Sequence, residues 1–168
     1  MKIAMMGFSG SGKSTLTRYF SKTQDLPSLH LDQIQFIDNW KLRDRDEARQ
    51  LVTHFLDENS SWVIDGNYSN FLRNRRVKEA DMTIIFMYSP WRCLYRVLKR
   101  SHKYRGQVRP DMAKGCIEQL DFSFIWWVLY KGRKQKSFFL SLKTQHPGKV
   151  VILKRPKDLE NYFNQIIK

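Results

Sequence analysis

The sequence predicts an α/β fold, a five-stranded parallel sheet with helices on both faces. Three observations lead there. Short apolar runs alternate with helix-patterned segments along the chain, the first run breaks into a glycine-rich turn before a helix, and two later runs each end on an aspartate. At 168 residues the chain has the length of one compact domain, residues 1–168, able to bury a core without disulfides or metal. Hydrophobic residues at 42% and charged residues at 27% sit near the averages for globular chains, which argues against disorder and against a membrane protein.

Taken in order, Lys2 to Met6 is an apolar strand, followed by the glycine turn and a helix from Lys13 to about Lys22. Pro27 restarts the chain, and Ser28 to Leu31 reads as a second strand ending on Asp32. A loop with Phe36 and Trp40 leads to an amphipathic helix over Asp44 to Glu58, where Ala48, Leu51, Val52, Phe55 and Leu56 recur at helical spacing. Trp62-Val63-Ile64, closed by Asp65-Gly66, is the third strand, and Met82 to Tyr88 the fourth; both have the unbroken apolar character of central parallel strands. Pro90 opens a helix through Leu94, Val97 and Leu98. Ile117, Leu120, Phe124 and Val128 mark another, which makes Trp126 and Trp127 packing residues. Val150 to Leu153 and a helix from Pro156 to Ile167 close the chain. The polar stretch between the two middle helices has no linker composition, so residues 101–116 are expected to form a lid within the domain.

The net charge of +14 is concentrated. Residues 1–60 carry 8 basic and 8 acidic side chains, whereas residues 91–136 carry 12 basic against 3 acidic. Such a region attracts polyanions, and a nucleotide with several phosphates is one as surely as a nucleic acid is. Cys93 and Cys116 are too few for a disulfide framework and lack zinc-site spacing, so two reduced thiols are expected. The first strand leaves no room for a secretory signal before it, and the longest apolar stretch, Phe122 to Tyr130, is too short to span a bilayer; a cytoplasmic protein with no membrane partner is expected.

Gly7-Phe8-Ser9-Gly10-Ser11-Gly12-Lys13-Ser14 matches G-x-x-x-x-G-K-[ST] in full, with Thr15 following. Glycines let the backbone turn its N–H groups around phosphate oxygens, and the helix that follows adds the positive end of its dipole. Lys13 then reaches the β- and γ-phosphates of ATP, and the Ser14 hydroxyl ligates Mg2+. Asp65 is either the carboxylate that holds the magnesium shell or the first residue of an ordinary Asp-Gly turn. Asp32 either orients and deprotonates an acceptor hydroxyl or caps a turn. Arg96, Arg100, Arg105 and Arg109 surround the expected lid, with Arg133 beyond the next helix; they either clamp a migrating phosphoryl group or are solvated. His30 reads as a strand residue.

These residues resemble the adenylate-kinase-like P-loop proteins described as DNA topology modulation proteins, of the FlaR type. The likeness rests on Gly7 to Thr15, His30-Leu31-Asp32, Asp65-Gly66-Asn67-Tyr68, Leu98-Lys99-Arg100, Tyr104-Arg105-Gly106, Arg109-Pro110-Asp111-Met112 and Gly115-Cys116. It implies a three-layer P-loop NTPase fold with sheet order 2-3-1-4-5, ATP with Mg2+, a small lid, and adenine flanked by Lys154-Arg155-Pro156. Nucleoside monophosphate kinases carry Asp-Gly-Phe-Pro-Arg after the third strand, where this chain has Asp65-Gly66-Asn67-Tyr68 and reaches arginine only at Arg73, Arg75 and Arg76. Asp32 more resembles the acidic residue that small-molecule kinases such as shikimate kinase place at the same strand end. The expectation is an ATP-dependent phosphotransferase with Lys13, Asp32, Arg100, Arg105 and Arg109 at the chemistry and an acceptor still to be identified. The alternatives are a nucleotide-regulated nucleic-acid-binding protein that affects DNA topology, supported only by the basic charge, and a P-loop ATPase without a small-molecule acceptor.

Overall fold

The computed structural model describes residues 1–166. Strand β1 (Lys2–Gly7) leads through the glycine turn into helix α1 (Lys13–Thr23), then β2 (Ser28–His30). Next come a short helix α2 (Leu31–Gln35), a hairpin of two-residue strands β3 (Phe36–Ile37) and β4 (Lys41–Leu42), and α3 (Arg45–Glu58). Strand β5 (Trp62–Asp65), α4 (Arg73–Glu79) and β6 (Met82–Phe86) follow. The last third holds α5 (Pro90–Lys103), α6 (Phe122–Leu129), α7 (Lys136–Gln145), β7 (Val150–Leu153) and α8 (Pro156–Ile166). Ile167, the expected end of α8, lies outside the described residues.

Five strands form one parallel sheet in the order β2-β5-β1-β6-β7; β3 and β4 pair only with each other, antiparallel. The chain fills one side of β1 with β2 and β5 and the other with β6 and β7, so the order reverses at β1. In open α/β sheets that reversal opens a crevice at the carboxyl ends of the strands. Helices cover both faces. Leu16 and Phe20 of α1, Cys93 and Val97 of α5, and Phe139 and Leu142 of α7 pack with Ile3, Met5 and Ile84. Ala48, Val52 and Leu56 of α3 pack with Ala4, Trp62 and Ile64. Capping fixes several helix starts: Asp44 accepts from Asp46 N and Glu47 N at 2.9 and 3.1 Å, and Ser89 accepts from Arg92 N beside Pro90.

Several elements differ from expectation. Leu31 and Asp32 belong to the first turn of α2 and not to a strand. Residues 36–42 form a hairpin where a loop was expected. Helix α5 continues to Lys103, so its last three residues are helical and do not belong to a lid loop. Helix α6 begins only at Phe122, because Asp121 accepts a 2.6 Å bond from Phe124 N and so caps it there; Ile117 instead bridges Val108 across an antiparallel turn. Helices α4 and α7 have no counterpart in the apolar pattern. In α4 the buried face centres on Arg76, fully buried, which donates to the carbonyls of Phe71 (2.8 Å), Gly66 (3.3 Å) and Tyr68 (2.8 Å). Burial, with Arg73 nearby, lowers its pKa. The guanidinium thereby ties the loop after β5 to the next helix. Arg76→Met is expected to destabilise the fold by about 3 kcal/mol, read from denaturant unfolding, because it leaves the buried carbonyls of Phe71 and Gly66 and the part-buried one of Tyr68 without this donor; an unchanged midpoint would show that the loop finds other partners.

Candidate active site

At the end of β1 the chain turns through residues that only glycine accommodates. Gly7 has φ 134°, and a Cβ there would stand 2.3 Å from the backbone oxygen of Phe86. Gly12 has φ 102°, and a Cβ there would stand 2.7 Å from a guanidinium nitrogen of Arg96. Gly12 is also the N-cap of α1, in left-handed conformation and with no side chain bonded to the helix's first amides, and no acidic residue lies in that first turn. The first amides of the helix and the positive end of its dipole therefore have no side-chain cap or first-turn carboxylate to offset them, an environment favourable to an anion.

The loop is held from three sides. Asn67 grips Gly7 twice, Oδ1 accepting from Gly7 N at 2.9 Å and Nδ2 donating to Gly7 O at 2.7 Å. Lys13 folds back over the loop and donates from Nζ to the carbonyls of Gly7 and Phe8, both at 3.1 Å. Burial lowers the Lys13 pKa, opposed by the negative charges of Asp65 and Asp32. Arg133 stacks its guanidinium 4.0 Å over the Phe8 ring and donates to the carbonyl of Val128 at 3.1 Å. Its expected place was beyond the lid; it serves the base of the loop.

One cleft of about 1970 Å3 gathers Ser9, Gly10, Gly12, Lys13, Ser14 and Thr15 with Asp32, Asp65, Arg96, Arg100 and Arg109. Single-ligand sites are typically about 300–1,000 Å3, so this cleft has room for a nucleotide and a second molecule. Gly7 and Ser11 lie behind it: Gly7 ends β1, and Ser11 is buried with its hydroxyl unpartnered.

The two strand-end carboxylates stand in different surroundings. Asp65 is buried; its Oδ1 lies 2.9 Å from His30 Nδ1, while its Oδ2 is buried without a hydrogen-bond partner. Such an orphan oxygen is costly unless something binds it. Burial works against a charged His30, but the hydrogen bond and charge of Asp65 outweigh it and raise the imidazole's pKa. His30 is therefore a positioning partner of Asp65, a role that its strand pattern did not reveal. Asp32 Oδ1 accepts a 2.7 Å bond from Tyr68 Oη. Burial raises the Asp32 pKa, against the lowering effect of that bond.

The magnesium set fits the side chains present. Among the described residues there is no cluster of three or more His, Cys, Asp or Glu able to hold a metal. Mg2+ is usually bound through one or two protein oxygens and completed by phosphates and water. Ser14 and the orphaned Oδ2 of Asp65 are the protein oxygens that would serve.

The arginines expected around a lid separate into distinct roles. Arg105 is exposed and does not line the cleft. Arg109 is buried and paired, through NH1 with Asp111 Oδ2 at 2.9 Å and through Nε with Glu118 Oε2 at 2.6 Å. Arg100 donates from Nε to Glu118 Oε1 at 2.9 Å, and Arg18 pairs with Asp111 Oδ1 at 3.2 Å. Three cations, Arg18, Arg100 and Arg109, thus close a continuous chain with two buried carboxylates. Although burial opposes it, Arg109 and Arg18 hold the Asp111 pKa below its ordinary value. Residues 104–118 dock on α2 and the hairpin by three further bonds: Gln33 Nε2 to Pro110 O (2.9 Å), Trp40 Nε1 to Ile117 O (2.9 Å) and Cys116 Sγ to Ile37 O (3.2 Å). Of the arginines around the expected lid, Arg96 is the one set against the glycine loop, at Gly12. Trp126 and Trp127, expected in the core, are 60% and 36% exposed and line the cleft.

Compared with models of known protein families the chain matches none, and none of the curated proteins matches it. No helix among the described residues is long and apolar enough to cross a membrane.

Proposed function

We propose that the chain is a Mg2+-dependent phosphotransferase that moves the terminal phosphoryl group of ATP to the hydroxyl of a second molecule, on a P-loop fold. The observation that carries this reading is convergence: a glycine loop matching the full phosphate-binding pattern, an orphaned aspartate oxygen and a half-buried aspartate with raised pKa open on one cleft with room for two ligands. A glycine loop leaving the central strand at the point where the sheet order reverses supports the fold assignment.

In this reading the amides at the start of α1 and the Lys13 ammonium hold the β- and γ-phosphates, and Ser14 with Asp65 holds the metal. When bound, Mg2+ neutralises charge that builds on the transferring group. His30 fixes the orientation of Asp65 through Oδ1. Asp32, aligned by Tyr68, takes the proton of the acceptor hydroxyl. Arg96, whose guanidinium lies against Gly12, stabilises the phosphoryl oxygens. Arg100 and Arg109, neutralised by Glu118 and Asp111, set the wall behind it. Cys93 and Cys116 are both buried and free, which supports a reducing, cytoplasmic setting.

The test combines binding and turnover. ATP with Mg2+ at about a hundred times its Kd is expected to stabilise the fold by about 2.7 kcal/mol, and γ-labelled ATP incubated with fractionated hydroxyl metabolites is expected to transfer label to one fraction. Absence of any thermal shift together with no release of ADP would sink the reading.

A further inference from the structure

The wall that α5 and α6 give to the cleft carries more cationic and aromatic surface than one nucleotide uses. Arg92, Arg96, Lys99 and Lys103 recur at i, i+4, i+7 and i+11 on one face of α5, and all four line the cleft. Eleven residues at about 1.5 Å each extend this stripe over roughly 16 Å. No acidic residue interrupts α5. Of the carboxylates that line the cleft, Asp111 and Glu118 pair with Arg18, Arg100 and Arg109, Asp121 caps α6, Asp32 and Asp65 bond Tyr68 and His30, and among the described residues none forms an ion pair with these four.

Aromatic rings accompany the stripe. Tyr95 is 65% exposed and Phe122 90% exposed, and both line the cleft with Trp126 and Trp127. Trp126 lies 4.3 Å from the Tyr130 ring with a 35° tilt, and Lys131 Nζ sits 5.7 Å from the Trp127 ring. Rings left open to solvent beside unpaired cations are not accounted for by packing.

We propose that this wall binds a single-stranded polynucleotide, its phosphates along Arg92 to Lys103 and its bases on Tyr95, Trp126 and Trp127. Grooves for single strands combine these two features, a cationic track and rings that stack on any base face. The occupant follows from the shape and the charge. One triphosphate is shorter than the stripe, whereas a polynucleotide places a phosphate every ~3.4 Å of its axis. A duplex keeps its bases stacked inside, out of reach of the rings. A lipid surface takes a face that lies in its plane, and this wall is recessed in a cleft. The inference goes beyond the phosphotransferase reading, with which it shares the cleft and Arg96.

The experiment titrates a fluorescein-labelled oligothymidylate of about 15 nucleotides, a length covering the usual single-strand site, against the full chain at two salt concentrations. Binding with quenched tryptophan emission is expected. Trp126→Ala with Trp127→Ala is expected to weaken it by about ten- to a hundred-fold, and Trp126→Phe with Trp127→Phe to restore most of the affinity. Lys99→Gln with Lys103→Gln is expected to flatten the salt slope by about 1.4. ATP affinity stays unchanged in these variants, while Lys13→Ala weakens ATP binding by about ten- to a hundred-fold and keeps the oligonucleotide, so failure of one idea is distinguishable from failure of the other. The proposal is overturned by absence of binding at low salt or by equal affinity for a duplex of the same length. It is equally overturned by joint loss of ATP and oligonucleotide in the tryptophan variants, or by phosphatidylserine vesicles displacing the oligonucleotide.

Discussion

Lys13→Ala is expected to lower ATP affinity by about ten- to a hundred-fold, the value of a charge-assisted contact to phosphate, and turnover by a further factor of about 10² or more. The size follows from preorganisation. The ammonium is already held over the loop by the carbonyls of Gly7 and Phe8, so it meets the phosphates without a search through rotamers. Burial also makes its charge more effective than the same charge in water, and Asp65 and Asp32 keep that charge in place. The fold does not depend on it. Asn67 still anchors Gly7 by two bonds, Ser11 N still donates to Phe8 O at 3.2 Å, and the core of α1 rests on Leu16 and Phe20. Calorimetric ATP titration and the rate of ADP formation, with the thermal midpoint as control, check this. Wild-type affinity and rate in a folded Lys13→Ala protein would remove the phosphate-loop assignment.

How much of this site is legible in the sequence depends on where each residue's partner lies. Gly7 to Ser14 is legible as a tight turn because its requirement is a residue type at fixed spacing, glycine at Gly7, Gly10 and Gly12 where φ is positive; lysine for phosphate and serine for the metal belong to the proposed reading. Asp32 and Asp65 are legible as positions, since each follows an apolar run. Their chemistry is not: the bond from Tyr68 to Asp32 spans 36 residues and the one from His30 to Asp65 spans 35. Arg109 reads as one more basic side chain in a polar stretch, and only the folded chain sets it against Asp111 and the buried Glu118. Arg105, nearby in sequence and identical in chemistry, stays in solvent.

The same logic separates the elements found from those missed. Helix α3 repeats its apolar residues at helical spacing and is read correctly. Helix α4 buries an arginine and a single valine, Arg76 and Val77, so its sequence carries no apolar period. In α7 the apolar residues Phe138, Phe139, Leu140 and Leu142 are clustered, a pattern that does not distinguish a strand from a helix. Trp126 and Trp127 fit a helical stripe with Phe124 and Val128, yet α6 covers the core through Val128 and leaves the indoles in the cleft.

Asp32→Asn is expected to slow phosphoryl transfer by about 10²- to 10⁴-fold, the usual worth of a positioned acid or base, with ATP affinity unchanged. Its pH dependence tests the role more sharply than its size. Burial holds the Asp32 pKa above the ordinary carboxylate value and the Tyr68 hydroxyl pulls it back, so the acid limb of the rate profile is expected above the ordinary aspartate range. Tyr68→Phe removes the stabilising donor, raises the Asp32 pKa further and moves that limb to higher pH; Asp32→Asn abolishes it. Stability responds with the opposite sign. A carboxyl whose folded pKa is raised contributes stability that is present below its unfolded pKa and is lost as pH rises through the folded value. The ionised Asp32 therefore costs stability at neutral pH, and Asp32→Asn, which keeps an acceptor for Tyr68, is expected to unfold at a higher temperature than wild type while losing activity. Rate profiles for the three proteins between pH 4 and 9 (about five pH units, spanning the ordinary carboxylate and imidazole ranges), beside their thermal midpoints at pH 7, supply the measurement. An Asp32→Asn protein that keeps the acid limb, or loses ATP binding and transfer in equal measure, would make Asp32 a structural residue and leave the acceptor's proton to another group.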